Sequence, residues 1–209
     1  MTRQGSIRIL SVDDHPLFRE GIAAVIKNQP DMLLVAEAAS GAEALQRFRE
    51  HQPDVTLMDL RLPDWSGIEA TIAIRKHLAG ARVILLSTFE GDVEIQRALE
   101  AGAWGYLLKT TNPREIVEMI RQVYAGKKCI PPPVAAHLAE HFGDEALTSR
   151  EVEVLAHVAG GNRNRDIGQR LFISEDTVKA HMKQIMQKLG ARDRTNALAI
   201  AARRGIIRL

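Results

Sequence analysis

The chain of 209 residues contains a single cysteine, Cys129, so it cannot form a disulfide within itself. A lone thiol without a matching histidine constellation is more typical of an incidental residue than of a nucleophile. The chain also lacks any apolar run near the ~18 residues needed to cross a bilayer, and residues 1–6 lack the apolar stretch of a signal peptide. We therefore expect a cytoplasmic protein with no membrane partner.

Charge is distributed unevenly along the chain. Hydrophobic residues make up 45% and charged residues 26%, which is typical of a globular protein with a buried core. Residues 1–146 carry 16 Lys+Arg and 20 Asp+Glu, a net charge of −4, whereas residues 147–209 carry 12 and 6, a net charge of +6. The basic C-terminal part favours a polyanionic partner, although a solvated basic surface would show the same balance.

The first 125 residues alternate short apolar runs with amphipathic helical stretches. Strands are predicted at Ile7–Val12, Leu33–Glu37, Val55–Met58, Val83–Ser87 and Gly105–Leu108. Helices are predicted at Pro16–Asn28, Gly41–His51, Gly67–His77, Asp92–Ala101 and Asn112–Ala125. This alternation predicts a doubly wound α/β fold, in which a five-stranded parallel sheet is covered on both faces.

The alternation ends after Ala125, and Pro131–Pro133 predict an extended spacer, with a short helix over Val134–Phe142. Only helices are predicted beyond Leu147, at Ser149–Ala159, Asn164–Leu171, Glu175–Leu189 and Arg194–Arg203. Thr148 and Glu151 form a capping box at the first of these helices. We therefore divide the chain into an α/β domain over residues 1–126, a linker over 127–146 and an all-α domain over 147–209.

Polar side chains gather where four of the predicted strands end, namely Asp13 and Asp14, Asp59, Ser87 and Lys109. The carboxyl ends of strands in an open parallel sheet meet in one crevice. Three carboxylates placed together repel one another, and a hard divalent cation such as Mg²⁺ would relieve that repulsion. Asp59 is the candidate nucleophile toward a phosphorus centre, because Mg²⁺ and Lys109 would offset the charge of the incoming phosphoryl group.

Other interpretations of these residues stay open. Asp13 and Asp14 could cap the helix that begins at Pro16, and Asp59 could open a turn toward Pro63. An Mg²⁺-dependent phosphohydrolase is a second alternative, but no aspartate stands two residues after Asp59 to serve as a general acid. A regulator that works without phosphorylation is a third.

Four segments, SVDDHPLFREGI, LMDLRLPDWSGIEA, ILLSTF and GAWGYLLK, resemble the landmarks of response-regulator receiver domains over about residues 6–126. The resemblance implies a flavodoxin-like fold and transfer of a phosphoryl group to Asp59 from a sensor histidine kinase. It implies that Mg²⁺ is held by the carboxylates of Asp14 and Asp59 and the main-chain carbonyl of Arg61, with Asp13 acting indirectly.

The same resemblance implies a signalling role for further residues. Ser87 would be the switch hydroxyl, Tyr106 the aromatic ring that changes rotamer behind it, and Lys109 the partner of the phosphate. Arg61 and Phe89 stand at positions that tune the phosphoryl lifetime in receivers. The resemblance implies no enzyme beyond slow self-phosphorylation and self-dephosphorylation.

The two helices that flank Phe172-Ile173-Ser174 have the spacing of a helix-turn-helix, with Ser174 placed to cap the second helix. On that helix the apolar residues fall on one face, and Lys179 and Lys183 lie elsewhere. Like charges at this i, i+4 spacing cost ~0.2–0.5 kcal/mol in an isolated helix, which an anionic partner would relieve. The alternative is a basic helix face that is simply solvated.

The segment LTSREVEVLAHVAGGNRNRDIGQRLFISEDTVKAHMKQIMQKLGARDRTNALAIAARRGI resembles the LuxR-type helix-turn-helix, and its union with a receiver resembles the NarL/FixJ family of transcriptional response regulators. The resemblance implies sequence-specific binding to double-stranded DNA, with Lys179, Ala180 and Lys183 facing bases and Thr177 and Lys188 contacting phosphates. We expect a homodimer on activation that reads two half-sites, with RNA polymerase as a further partner.

Two expectations concern packing of the C-terminal helices. The last helix carries the apolar residues Ala197, Leu198, Ile200 and Ala201, which predict a dimer surface, with internal packing as the alternative. Gly168 stands where the LuxR-type pattern has alanine. Because glycine lowers helix propensity by ~1 kcal/mol, Gly168→Ala is expected to stabilise the protein.

Overall fold

The computed structural model describes residues 5–88, 91–141 and 143–207. Two residues named above, Phe89 and Phe142, lie outside these ranges. The described residues form two compact units, one over 5–88 with 95–135 and the other over 91–94 with 136–207. The domain boundaries placed after residues 126 and 146 stay a prediction. Within the described ranges, no helix has both the length and the apolar character to span a bilayer.

The first unit is built on a five-stranded parallel sheet with the strand order β2-β1-β3-β4-β5. The strands are β1 Ile7–Val12, β2 Met32–Ala38, β3 Val55–Asp59, β4 Val83–Ser87 and β5 Gly105–Leu108. The helices that connect or follow them are α1 Pro16–Lys27, α2 Gly41–His51, α3 Gly67–His77, α4 Asp92–Glu100, of which residues 95–100 belong to this unit, and α5 Pro113–Tyr124. The predicted fold class is confirmed, and the ends of the elements differ from the predicted ones by at most one residue.

The burial of the central strands explains why the sequence pattern predicted the sheet correctly. Every residue of β3 and β4 is buried, so these strands are covered on both faces and their sequences are mostly hydrophobic. α5 buries one face against the sheet through Ile116, Ile120 and Val123. These layers hold the carboxyl ends of the strands in fixed positions at one edge of the sheet.

The second unit is helical, with α7 Ser149–Ala159, α8 Asn164–Leu171, α9 Glu175–Lys188 and α10 Arg194–Arg203. The capping box of Thr148 and Glu151 is present at the start of α7, and the Ser174 side chain accepts a hydrogen bond from the Thr177 backbone at the start of α9. Both predicted caps are therefore confirmed.

Two predictions need correction, one about the backbone of the linker and one about the surface of α10. The short helix predicted over Val134–Phe142 is present as α6, Pro132–Glu140, but it begins at Pro132 and includes Pro133, where extended backbone had been predicted. Prolines are tolerated in the first helical turn, where their missing N–H would have had no partner. In α10, Ala197 and Ala201 are fully buried in the core of their own unit. These two alanines cannot contribute to a dimer surface, whereas Leu198 and Ile200 are only partly buried.

Candidate functional site

The strand order brings the predicted acidic residues together. β2 lies on one side of β1 and β3 lies on the other, so the strand order reverses at β1. At such a reversal a crevice opens at the carboxyl ends of the strands, here those of β1 and β3. Asp13 follows β1 and Asp59 ends β3, and both side chains are almost fully buried. Asp14 is more exposed, with 38% of its side chain accessible. The crevice therefore holds two buried carboxylates and a third at its mouth.

Lys109, which directly follows β5, supplies the positive charge in this crevice. Its Nζ lies 2.7 Å from Oδ2 of Asp13 and 2.8 Å from Oδ2 of Asp59. Burial lowers the pKa of Lys109, but the two carboxylates raise it more, so the net pKa lies above its ordinary value. Burial raises the pKa of Asp59 above its ordinary value against the opposing effect of Lys109. One ammonium thus faces two buried carboxylates, which leaves an excess of negative charge.

The crevice fits a divalent cation. Asp13, Asp14, His15 and Asp59 each offer one ligand atom, and these atoms lie within 4.8 Å of one another. The residues include several carboxylate oxygens, which are the ligands that hard cations prefer. His15 was not predicted, although it directly follows the two aspartates in the sequence. Its Nδ1 lies 2.7 Å from Oδ1 of Asp14 and 3.1 Å from Oδ1 of Asp13.

The remaining predicted receiver residues lie on β4, on β5 and in the loop after β3. Arg61 stands two residues after Asp59, in the loop between β3 and α3. Ser87 ends β4 and Tyr106 lies on the adjacent strand β5; both are buried, at 2% and 0% exposure. The backbone N–H of Lys109 donates to the Ser87 carbonyl at 2.7 Å. Ser87 and Lys109 therefore stand at the carboxyl ends of neighbouring strands, and Tyr106 lies three residues before Lys109 on β5.

In the second unit, α9 presents the predicted base-contacting residues. Val178, Met182 and Ile185 are buried, and the four residues Thr177, Lys179, Ala180 and Lys183 are exposed. Lys179 pairs with Asp176 at 3.0 Å and with Glu175 at 3.3 Å on its own helix. These are exposed pairs worth little free energy, so the lysine can exchange them for another anion.

Lys188, at the other end of α9, has different surroundings. Its Nζ lies 3.0 Å from Oε2 of the buried Glu151 and 3.1 Å from Oε1 of Glu145, and only 13% of its side chain is exposed. Burial raises the pKa of Glu151, but Lys188 and the Thr148 backbone N–H outweigh this effect and hold the pKa below its ordinary value. Lys188 would have to leave two carboxylates to reach a phosphate, and its predicted DNA contact stays a prediction.

Gly168 lies where α8 meets the turn of the helix-turn-helix. A Cβ atom at this position would lie 2.7 Å from the backbone oxygen of Ile173, whose N–H donates to the Gly168 carbonyl at 2.9 Å. There is no room for the methyl group that the sequence pattern predicted as beneficial. The structure therefore reverses the expected sign of Gly168→Ala.

We expect Gly168→Ala to lower the free energy of unfolding by about 1 kcal/mol, because overpacking costs about 1–3 kcal/mol and the gain in helix propensity is only ~1 kcal/mol. Urea denaturation followed by circular dichroism measures this difference. The control is Gly21→Ala in α1, where a Cβ has no neighbour within 4 Å. That variant should be more stable than the wild type. A Gly168→Ala protein that unfolds at higher urea than the wild type would contradict the prediction.

Comparisons with known proteins find a family match for each of the two parts of the chain. Residues 9–121 match the response regulator receiver domain, and residues 145–201 match the luxR family of bacterial regulatory proteins. The uncharacterized transcriptional regulatory protein YxjL of Bacillus subtilis (strain 168) is 40% identical over an alignment 213 residues long. The alignment covers 96% of this chain and 97% of that protein. The transcriptional regulatory protein LiaR of the same organism is 39% identical, with 96% and 99% covered.

Solved structures give the same result. The response regulator ChrA of a heme-sensing two-component system is 35% identical, with a TM-score of 0.59 over 97% of this chain and 100% of that chain. Two RcsB dimers bound to two parallel DNAs contain a chain that is 23% identical, with a TM-score of 0.72 over 95% and 99%. This second likeness shows the fold alone.

The sheet order, the acidic crevice and the helix-turn-helix together define a receiver joined to a DNA-binding domain, which is the architecture of a regulator and not of an enzyme. The chain belongs to the NarL/LuxR family of two-component response regulators, which regulate transcription. The predicted family and the predicted class of function are thereby confirmed.

Proposed function

We propose that this protein accepts a phosphoryl group on Asp59 from a sensor histidine kinase, and that this modification controls dimerisation and sequence-specific binding to DNA. The observation that carries the proposal is the pair of buried carboxylates, Asp13 and Asp59, that share the single ammonium of Lys109. Buried like charges are maintained only where another interaction compensates them. A site with this excess negative charge suits a divalent cation.

In the proposal that cation is Mg²⁺, held by the carboxylates of Asp14 and Asp59 and the main-chain carbonyl of Arg61, with Asp13 acting indirectly. All of these ligand atoms are oxygens, as Mg²⁺ prefers. When bound, the ion supplies positive charge that offsets the phosphoryl oxygens as they approach a carboxylate.

The transfer forms one bond and breaks another. A carboxylate oxygen of Asp59 bonds to phosphorus while the phosphorus–nitrogen bond of the kinase phosphohistidine breaks. The imidazole nitrogen keeps the electron pair and takes up a proton. Lys109 already lies 2.8 Å from Asp59 and is placed to pair with a phosphoryl oxygen. The Ser87 hydroxyl then donates a hydrogen bond to the phosphoryl group, and the Tyr106 ring changes rotamer behind Ser87.

Phosphorylation replaces the single negative charge of the Asp59 carboxylate by a phosphoryl group of roughly −1.5 to −2 charge, so the net gain is one charge or less; together with the new acceptor oxygens, it shifts a two-state equilibrium toward a dimer that binds DNA. In that dimer each copy places α9 in the major groove of one half-site, where Lys179, Ala180 and Lys183 face bases and Thr177 contacts a phosphate. RNA polymerase is a further proposed partner. The proposal places the protein in the cytoplasm, where the chromosome is accessible.

The proposal is tested by incubating the protein with Mg²⁺ and acetyl phosphate, followed by intact-mass measurement and selection of bound random oligonucleotides. The wild type should gain one phosphoryl group and enrich a two-half-site sequence more strongly after phosphorylation. Asp59→Asn should gain none. The control Asp54→Asn, at a carboxylate that accepts the Arg8 N–H, should be modified like the wild type. The proposal fails if the wild type is not modified or if Asp59→Asn is modified equally.

A further inference from the structure

The loop between β3 and α3, residues 60–66, carries the Arg61 carbonyl and is fixed firmly at its base. The Leu60 N–H donates to the Leu86 carbonyl on β4 at 2.8 Å, and the Gly67 N–H donates to the Leu60 carbonyl at 2.9 Å. Arg61 and Ser66 form an isolated antiparallel bridge across the loop. The two ends of the loop are therefore held together, and further contacts at its tip would restrain the loop as a whole.

The side chain of Asp64 connects that tip to the start of α2. Its Oδ1 accepts a hydrogen bond from the Gly41 N–H at 2.7 Å, and its Oδ2 accepts one from the Ala42 N–H at 2.9 Å. Oδ1 also accepts from the N–H of the adjacent Trp65 at 2.8 Å. The first N–H groups of a helix have no partner within the helix and carry a partial positive charge, so a carboxylate is a favourable partner for them.

The ionisation of Asp64 is consistent with this contact. Burial raises the pKa of Asp64, but the backbone N–H groups of Ala42, Gly41 and Trp65 lower it more, so the net pKa lies below its ordinary value. The carboxylate is therefore charged at neutral pH, and its bonds to the start of α2 are charge-assisted, which makes them stronger than neutral hydrogen bonds.

Packing holds the same two segments together. A Cβ atom at Gly41 would lie 2.8 Å from Cβ of Trp65, so the backbone of α2 and the tip of the loop are in close contact. Gly41 is buried, and glycine at this position permits that approach. The loop is therefore attached to α2 both by hydrogen bonds and by steric contact.

We infer that Asp64 is a positioning residue for the metal site: by attaching the tip of the loop to α2, it restrains the loop whose Arg61 carbonyl is the proposed ligand. The inference rests on the proposed function, in which this carbonyl is a ligand. A carbonyl on a mobile loop loses conformational entropy on binding the cation, whereas one on a fixed loop has already lost it. Removing the attachment therefore weakens cation binding without removing any ligand.

The test compares the Mg²⁺ dissociation constants of the full chain and three variants, measured by titration calorimetry, with thermal unfolding recorded for each. Asp64→Ala should raise the Kd about ten-fold or more, as the loss of residues that support metal ligands commonly does. Asp64→Asn should give an intermediate Kd, because one amide oxygen can still accept from α2. Asp54→Ala is the matched control, since Asp54 also accepts a backbone N–H, that of Arg8, from a separate part of the chain.

A Kd for Asp64→Ala equal to that of the wild type overturns the inference. The same conclusion follows if Asp54→Ala weakens binding as strongly as Asp64→Ala, because the effect then reflects general stability. Should Asp64→Ala fail to fold, Asp64→Asn decides by the same criterion, because its side chain is nearly equal in size. A wild type that neither binds Mg²⁺ nor gains a phosphoryl group from acetyl phosphate instead refutes the proposed function. Equal binding by the wild type and all variants refutes only the role of Asp64.

Discussion

Gly67→Ala is expected to lower the free energy of unfolding by about 3 kcal/mol, at the upper end of what overpacking causes. A Cβ atom at Gly67 would lie 2.1 Å from the carbonyl oxygen of Asp59 and 2.9 Å from Cα of Leu60. Both are backbone atoms at the end of β3 and cannot rotate away. Relief of the clash requires α3 to move from the strand, which breaks the hydrogen bond from the Gly67 N–H to the Leu60 carbonyl.

Urea denaturation followed by circular dichroism measures the effect, and the same variant should bind Mg²⁺ more weakly because the backbone of Asp59 is displaced. Gly80→Ala is the control, since a Cβ at Gly80 meets nothing within 4 Å and the backbone there is not left-handed. We expect that variant to unfold near the wild-type midpoint. A Gly67→Ala protein with an unchanged midpoint would show that the junction of β3 and α3 can adapt freely.

The sequence predicted the sheet and its acidic crevice because both depend on local patterns. Val55–Asp59 and Val83–Ser87 are buried on both faces, so their apolar runs are visible in the sequence. The topology of parallel strands then brings their carboxyl ends together whatever the details of packing. Asp13, Asp59 and Lys109 could be grouped on this basis without any knowledge of distances.

Other features depend on contacts between distant segments and carry no local signal. The bond between Asp64 and the start of α2 joins residues that are 23 positions apart, and Lys188 meets Glu151 across 37 positions. Helix propensity predicted the wrong sign for Gly168, because propensity describes an isolated helix and the clash comes from the following turn. The periodicity of α10 identified Ala197 as apolar but could not tell internal packing from a dimer surface.

Lys109→Met is expected to lower the free energy of unfolding by about 3–5 kcal/mol at neutral pH in the presence of a chelator, because removing one partner of a buried ion pair leaves uncompensated charge. Methionine keeps most of the aliphatic length beside Phe18, whose ring centroid lies 4.9 Å from Nζ, so the loss reports mainly on charge. Asp13 and Asp59 are almost fully buried and would then face each other without a cation.

The direction in which the stability loss of Lys109→Met changes with pH follows from the pKa of Asp59. Its pKa in the folded wild type already lies above the ordinary value, and loss of the ammonium raises it further. An acid whose pKa is higher in the folded than in the unfolded state binds protons more tightly when folded. The deficit of Lys109→Met should therefore be largest at neutral pH and shrink as the pH falls through the raised folded pKa of Asp59.

Mg²⁺ should also restore part of the stability of Lys109→Met, because a cation that binds only the folded state stabilises it in proportion to its occupancy. Thermal unfolding across a pH series, with and without Mg²⁺, measures both effects. Lys76→Met is the control, since Lys76 is exposed on α3, and its stability should show neither dependence. If Lys109→Met is as stable as the wild type at neutral pH without divalent cations, the two carboxylates do not depend on this lysine. The excess negative charge on which the proposed cation site rests would then have to be compensated elsewhere in the crevice.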